Sequence, residues 1–318
     1  MPFQLDHVVI AVSDLARAVQ DYRTLGFIVL EGGIHASGAT HNALIVFADG
    51  TYLELLAPTG AAAGAEALDF SPMLAHGEGL CGFALRADGL PALVAALRGR
   101  GVAVSDPLTG ARQQQDGTRL AWRLALVEGG FAPFLIEDIT PRSLRVPDDP
   151  ALTAHPNGVR GIGGLELVTP DLAAAQARYQ RLLNAQPEPE DMPAFRAFAL
   201  QDAQLVISAP QPETAAQVIS WSVAPMAALK DEINALFKAQ VPVEVQALLQ
   251  QSGQLWGQYE AEIKRQIAER AAYLAKRGNA ESLYAVRVWQ LPSQQTFPLA
   301  DLTLTHNVRF TVHAPDSA

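Results

Sequence analysis

The sequence predicts an α+β fold: tandem βαβββ modules paired into cupped mixed sheets, with a helical insertion in the C-terminal half. Three observations carry this expectation. One phrase occurs four times, as VVIAVSDLARAVQDYRTLGFIVLE from Val8, GFALRADGLPALVAALRGRGVAVSD from Gly82, GLELVTPDLAAAQARYQRLLNAQPEPE from Gly164 and VISWSVAPMAALKDEINALFKAQVPVEV from Val218. Each copy opens on a β-rich run, turns through small polar or proline-containing residues, forms one helix and leaves as an extended run. Further strand candidates follow each helix, and a proline-rich, polar stretch, TPRSLRVPDDPALTAHPNG, divides the four copies into two pairs.

Taken in order, the first copy places Ser13 as helix N-cap, with Leu15, Val19 and Tyr22 at helical spacing. The strands FIVLE, NALIVFA and TYLELLA follow, and DGT between the last two reads as a tight hairpin turn. In the second copy Asp88 is the expected cap and Leu90, Leu93 and Leu97 the apolar stripe. Its strands are VAVSD, LAWRLALV and APFLIEDI, with EGG as turn. The third has Asp171 as cap and the strands RAFAL and AQLVISAP. The fourth is interrupted between VPVEV and LYAVRVWQL by a helical stretch over 244–278. Leu255, Tyr259, Ile263 and Ile267 form a stripe along it, expected to pack on the body of the protein; a homodimer contact is the alternative. The expected domains are residues 1–143, carrying the site, and 157–314, a degenerate second pair with the insertion at about 244–280.

Composition narrows the function classes. The 318 residues suffice for two domains, and 49% of them are hydrophobic. A net charge of -10 without a basic patch argues against nucleic acid as partner. The single cysteine, Cys81, excludes an intrachain disulfide. The opening MPFQLDHVVIAV lacks a basic leader followed by a long apolar run, and no stretch is long enough to span a bilayer. A cytoplasmic protein that binds no membrane is therefore expected.

The chemistry is expected where polar residues intrude into apolar strands. His7 in LDHVVIAV and Glu54 in TYLELLAP are two such residues. A buried unpaired carboxylate is costly, so Glu54 needs a partner or a task. If the first and last strands of the module curl together, imidazole and carboxylate meet, either as ligands of a divalent cation or as a buried hydrogen-bonded pair. Glu137 in PFLIEDI occupies the corresponding slot of the second module, which gives three candidate ligands: His7, Glu54 and Glu137. A cation between two carboxylates would relieve their repulsion. The fourth slot falls at Cys81 or Gly82. In the second half Val206 stands where Glu54 does, and Gly164 where His7 does, so no centre is expected there. Arg112, Arg119, Arg123 and Trp122 lie in GARQQQDGTRLAWRLAL; an arginine in a cup suits an anionic substrate group, and three exposed arginines on an edge hairpin are the plain alternative.

Together LDHVVIAVSDL, THNALIVF, DGTYLELLAP, WRL, PFLIED and HPNG resemble a glyoxalase-like protein of the vicinal oxygen chelate (glyoxalase/bleomycin resistance/extradiol dioxygenase) superfamily. The likeness covers residues 3–140 most closely, extends to about 210 and fades beyond. It implies paired βαβββ modules cupped around a divalent metal (Zn, Mn, Fe, Ni or Mg), with ligands on the first and fourth strands of each module. By slot, His7, Glu54 and Glu137 match ligand positions, while Cys81 or Gly82 stands where His or Gln would be usual. It also favours His41 and Asn42 for substrate contact, with His41 or a carboxylate as proton shuttle. The resulting expectation is a metal-dependent enzyme of lyase, isomerase or dioxygenase type acting on a small keto, hydroxy or aromatic substrate. The alternatives are a metal-free, resistance-type binding protein of the same fold and a scaffold whose helical insert binds a partner.

Overall fold

The computed structural model describes residues 3–61, 74, 77–114, 116–188, 195–209, 282–290, 305–306 and 308–313. The expected helix over 244–278 and most of the fourth copy lie outside them. Strand β1 (Gln4–Ala11) is buried on both faces, which explains its nearly unbroken apolar sequence. Helix α1 (Leu15–Thr24) follows and buries Ala18 and Tyr22. Strands β2 (Leu30–Ile34), β3 (Thr40–Val46) and β4 (Tyr52–Pro58) complete the first βαβββ module. The second module repeats it: β5 (Gly79–Arg86), α2 (Leu90–Gly99), β6 (Leu108–Gln113), β7 (Arg119–Leu126) and β8 (Phe134–Asp138).

These strands form one eight-stranded mixed sheet in the order β2-β3-β4-β1-β5-β8-β7-β6. The two modules join antiparallel through β1 and β5, while β1–β4 and β5–β8 are parallel. The sheet curls until its outer strands meet: His35 bridges Arg112, and the Ala36 N–H donates to the Ala111 carbonyl at 2.9 Å. Alternation divides the strands between two faces. Val8, Ile10, Leu53 and Leu55 pack in the core cluster that also holds the buried helix residues, while His7, Val9, Glu54 and Leu56 line the hollow.

Short helices α3 (Arg142–Arg145) and α4 (Pro150–Thr153) occupy the stretch between the pairs. A second sheet follows: β9 (Val159–Val168), helix α5 (Leu172–Leu183), β10 (Phe195–Ala199), β11 (Gln204–Ser208), β12 (Ser282–Gln290) and β13 (Arg309–His313), in the order β10-β11-β9-β12-β13. Its register pairs Val206 with Glu166 as Glu54 pairs with Val9, so Val206 and Gly164 hold the positions of Glu54 and His7. Two caps differ from expectation by one residue. Asp14, not Ser13, caps α1 by accepting from the Arg17 N–H at 3.0 Å, and Gly89, not Asp88, precedes α2 in a left-handed conformation (φ 68°). Asp171 caps α5 as expected, accepting from the Ala174 N–H at 2.9 Å.

Candidate functional site

The hollow of the eight-stranded sheet is a cavity of about 150 Å3. Most of its wall is apolar, from Val9, Leu44, Leu56, Leu124, Phe134, Ile136 and Trp122, and its polar groups include His7, His35, Asn42, Glu54 and Arg112. Trp122 reaches it because Gly110 leaves room for the indole; a Cβ there would lie 2.2 Å from Trp122 Nε1.

His7 and Glu54 meet there. His7 Nε2 lies 3.4 Å from Glu54 Oε2, and both residues are buried. The His7 ring stacks on Tyr52 at 4.4 Å between centroids and receives Phe134 edge-on at 5.3 Å. Its other nitrogen, Nδ1, lies 2.8 Å from Asp6 Oδ1. Neighbours in a regular strand point to opposite faces, so this contact needs an irregularity. The β1–β5 register supplies it: Leu5 pairs with Leu85 and His7 with Ala84, leaving Asp6 as the extra residue of a bulge.

Asp6 is itself held by arginines from α3. Arg145 Nη1 donates to Asp6 Oδ1 at 2.8 Å and to the Tyr52 hydroxyl at 2.6 Å, and its Nε donates to Asp138 Oδ1 at 2.6 Å. Arg142 also donates to Asp6. Two guanidinium groups thus balance two carboxylates beside the cavity. Burial opposes the Asp6 charge, but Arg145 and His7 outweigh it and hold its carboxyl well below the usual range. Burial likewise pulls His7 down, and the bonds to Asp6 and Glu54 more than reverse this, so its pKa is raised. For Glu54 burial is again the largest influence, yet His7, His35 and Asn42 together hold it at about 2.

A second row of groups runs from Glu54 through Asn42 to Arg112. Asn42 Nδ2 donates to Glu54 Oε1 at 2.6 Å, and Asn42 Oδ1 accepts from Arg112 Nη1 at 2.9 Å. His35 Nε2 stands 3.7 Å from Glu54 Oε1, and its Nδ1 lies 2.8 Å from Thr40 Oγ1. Burial lowers the His35 pKa, with Glu54 pulling the other way.

Of the expected site residues, His7, Glu54, Asn42, Arg112 and Trp122 line the cavity. Glu137, Arg123 and His41 do not. Glu137 projects from the opposite face of β8, where its Oε1 accepts from the Gly89 N–H at 2.7 Å and its Oε2 lies 3.2 Å from Arg123 Nη1. It serves as the cap that Gly89 lacks, and Arg123 stands half-exposed beside it. His41 alternates with Thr40 and Asn42 on β3, which puts it on the other face. The Glu137 assignment fails by register. Val12 N–H donates to the Leu56 carbonyl at 2.9 Å and Ala87 N–H to the Ile136 carbonyl at 2.8 Å. Ile136 is therefore level with Leu56, and Phe134, two residues earlier, is level with Glu54. The same frame sets Gly82 level with His7.

A divalent cation can be tested against this donor set. Two of the four slots hold Gly82 and Phe134, which ligate nothing. Glu54 Oε1 already accepts from Asn42, whose own oxygen accepts from the Arg112 guanidinium. Among the described residues no group of three or more His, Cys, Asp or Glu side chains is arranged to hold a metal ion. The residues present do not fit the four-ligand centre that the resemblance implies.

The model of the glyoxalase-like domain family matches residues 5–183. The chain belongs to this family. Its fold has a counterpart in a hypothetical protein from Staphylococcus aureus, which aligns over 66% of the chain and 87% of its own length at 16% identity, with a TM-score of 0.56. Methylmalonyl-CoA epimerase from Mycobacterium tuberculosis aligns over 45% of the chain and 91% of its own length, at 27% identity and a TM-score of 0.34. A xylose isomerase-like TIM barrel/4-hydroxyphenylpyruvate dioxygenase fusion protein aligns over 96% of the chain and 39% of its own length, at 15% identity and a TM-score of 0.43. No curated protein matches the chain. Among the described residues of this glyoxalase-like chain, no helix is long and apolar enough to cross a membrane.

Sequence reading missed Asp6 and Arg145 as parts of this glyoxalase-like site, and of the two histidines in the 32–44 loop it favoured His41 where His35 lines the cavity. Asp6 carried a usable signal, being a second polar intruder in LDHVVIAV beside His7. Arg145 carried none, because it lies in the stretch between the module pairs and reaches the cavity only through the fold.

Proposed function

We propose that this chain is a small-molecule-binding member of the glyoxalase-like family, whose cup takes one oxygenated ligand without a metal ion. The observation that carries this reading is the identity of the residues level with His7 and Glu54 in the second module, Gly82 and Phe134. They convert half of a ligand set into an apolar wall. An apolar cavity with a few convergent polar groups is the usual form of a small-molecule site. A keto, hydroxy or aromatic compound fits it, with its body against Trp122 and Phe134 and its oxygens towards Asn42, His7 and Arg112. The metal-dependent enzyme expected from the resemblance is not favoured by this donor set.

A second reading, proton transfer at His7, is favoured by one further observation. Nδ1 of His7 is fixed by the buried Asp6 carboxylate, while the ring lines the cavity. An oriented imidazole facing a ligand is the arrangement of a general acid or base. An isomerase or lyase step on the bound ligand would use it.

The test is titration of chelator-treated protein with small keto, hydroxy and aromatic acids, read from the indole N–H signal of Trp122 in NMR spectra. The signal is assigned with Trp122→Phe. A saturable shift in metal-free protein is expected. Binding that requires added divalent metal would overturn the metal-free reading, and turnover of a bound compound would favour the second.

A further inference from the structure

Arg112 is only 4% exposed, yet its guanidinium is almost unused. Arginine offers five N–H donors in a planar fork. Among the described residues, the side chain donates one hydrogen bond, from Nη1 to Asn42 Oδ1, and Nε is buried without a partner. A buried charge spends so few of its donors only at a cost, unless something else meets it.

The nearby carboxylate does not meet it. Asn42 stands between the two charges, its oxygen accepting from Arg112 and its amide donating to Glu54. A carboxamide in that position keeps Glu54 and Arg112 from closing into an ion pair. The remaining charges near the floor are matched, Asp6 and Asp138 by Arg142 and Arg145. Glu54 itself faces His7, whose Nε2 lies 3.4 Å from its Oε2. Among the described residues, Arg112 is thus the cation of the cavity wall without a carboxylate partner of its own.

The space around it is also built. Gly32 is the extra residue of a bulge between β2 and β3, and a Cβ there would lie 1.9 Å from Asn42 Oδ1 and 2.6 Å from Arg112 Nη1. Gly33 has φ 146° and packs under the Arg112 stem. The glycine pair lets the guanidinium and the carboxamide lie against the backbone.

We infer that the cup selects small organic acids, with Arg112 as receptor for a single carboxylate and the apolar wall of Trp122, Leu124 and Phe134 as receptor for the body. This rests on the small-molecule reading above and names its ligand class. The planar fork suits a carboxylate, and the wall excludes an ion without an apolar body.

The experiment compares benzoate, phenylacetate and isovalerate with their matching amides and with inorganic phosphate. Dissociation constants are measured by NMR on the full chain as wild type, Arg112→Met and Arg112→Lys. In wild type the acids should bind at least tenfold more tightly than the amides and than phosphate. Arg112→Met should abolish that preference by weakening the acids while leaving amide binding in place, and Arg112→Lys should keep part of it. Acids and amides binding equally to wild type would overturn this inference and leave the pocket reading intact. Phosphate binding as tightly as benzoate would overturn the carboxylate assignment. If no acid and no amide moves the Trp122 signal, the pocket reading falls and the inference with it.

Discussion

Phe134 stands in the second module where Glu54 stands in the first. Both side chains face the cavity, and both approach the ring of His7. The two modules therefore share a backbone plan but divide the labour. The first contributes the polar groups His7, Asn42 and Glu54, and the second contributes wall, with Arg112 as its one charged member in the cavity lining among the described residues.

Glu54 is held by His7 and Asn42, so removing its carboxylate takes one partner from each. Glu54→Ala should destabilise the fold by about 3 kcal/mol, measured by urea unfolding at pH 6. The pH dependence has two limbs. The carboxyl, at about 2 in the folded chain against 4.5 ordinarily, stabilises above pH 4.5, and this is lost as pH falls towards 2. The raised His7 stabilises below its ordinary 6.5, and this is lost as pH rises through its folded value. Glu54→Gln should flatten the acid limb; an unchanged acid limb would contradict the assignment.

Glu137 caps helix α2 from the neighbouring strand and takes no part in the cavity. Glu137→Ala should therefore cost about 1 kcal/mol of stability, as loss of a cap does, and leave ligand affinity unchanged. Calorimetric unfolding and the Trp122 titration check the two halves. A large loss of affinity with unchanged stability would return Glu137 to the site.

Gly32→Ala places a methyl against Asn42 Oδ1 and Arg112 Nη1. Either the relay or the β2–β3 bulge must give, at a cost of about 1–3 kcal/mol. Binding of carboxylic acids should weaken more than binding of their amides, because Arg112 is the displaced partner. Equal weakening of both would mean that the glycine serves packing alone.

His155, in the HPNG motif, is a neutral structural histidine. Its Nδ1 accepts from the Ile28 N–H at 2.9 Å, which leaves Nε2–H to donate to the Val46 carbonyl at 3.0 Å. Burial pushes its pKa down to about 4. The unfolded chain thus binds the proton more readily, and stability present above pH 6.5 is lost as pH falls towards 4, by about 3 kcal/mol in all at 1.36 kcal/mol per pH unit. His155→Gln should remove that slope in unfolding measured between pH 7 and 4. A slope equal to wild type would place the titration elsewhere.

Much of this was legible in the sequence. The four-fold phrase gave the β-α-β-β-β order, and polar residues in apolar strands pointed to His7 and Glu54. The missing steps were matters of register and parity. The strand pattern alone sets Glu137 in the slot of Glu54, whereas the ladder hydrogen bonds of Leu56 and Ile136 set Phe134 at that level. His41 and Arg123 sit one residue off the cavity-facing series, at odd steps from Asn42 and Trp122. Arg145 could not be read at all, because a linker residue is placed by long-range packing rather than by local period. The Asp6–His7 contact depends on a bulge, and nothing in LDHVVIAV marks which residue is the extra one.

The most direct measurement is the metal content of wild-type protein after equilibration with Zn, Mn, Fe, Ni and Mg salts and desalting, set beside Phe134→Glu. A metal-free cup implies far less than one equivalent in wild type, and a gain of stoichiometric metal when Phe134→Glu supplies the third donor beside His7 and Glu54. One equivalent of metal in wild type, lost in Glu54→Ala, would contradict it.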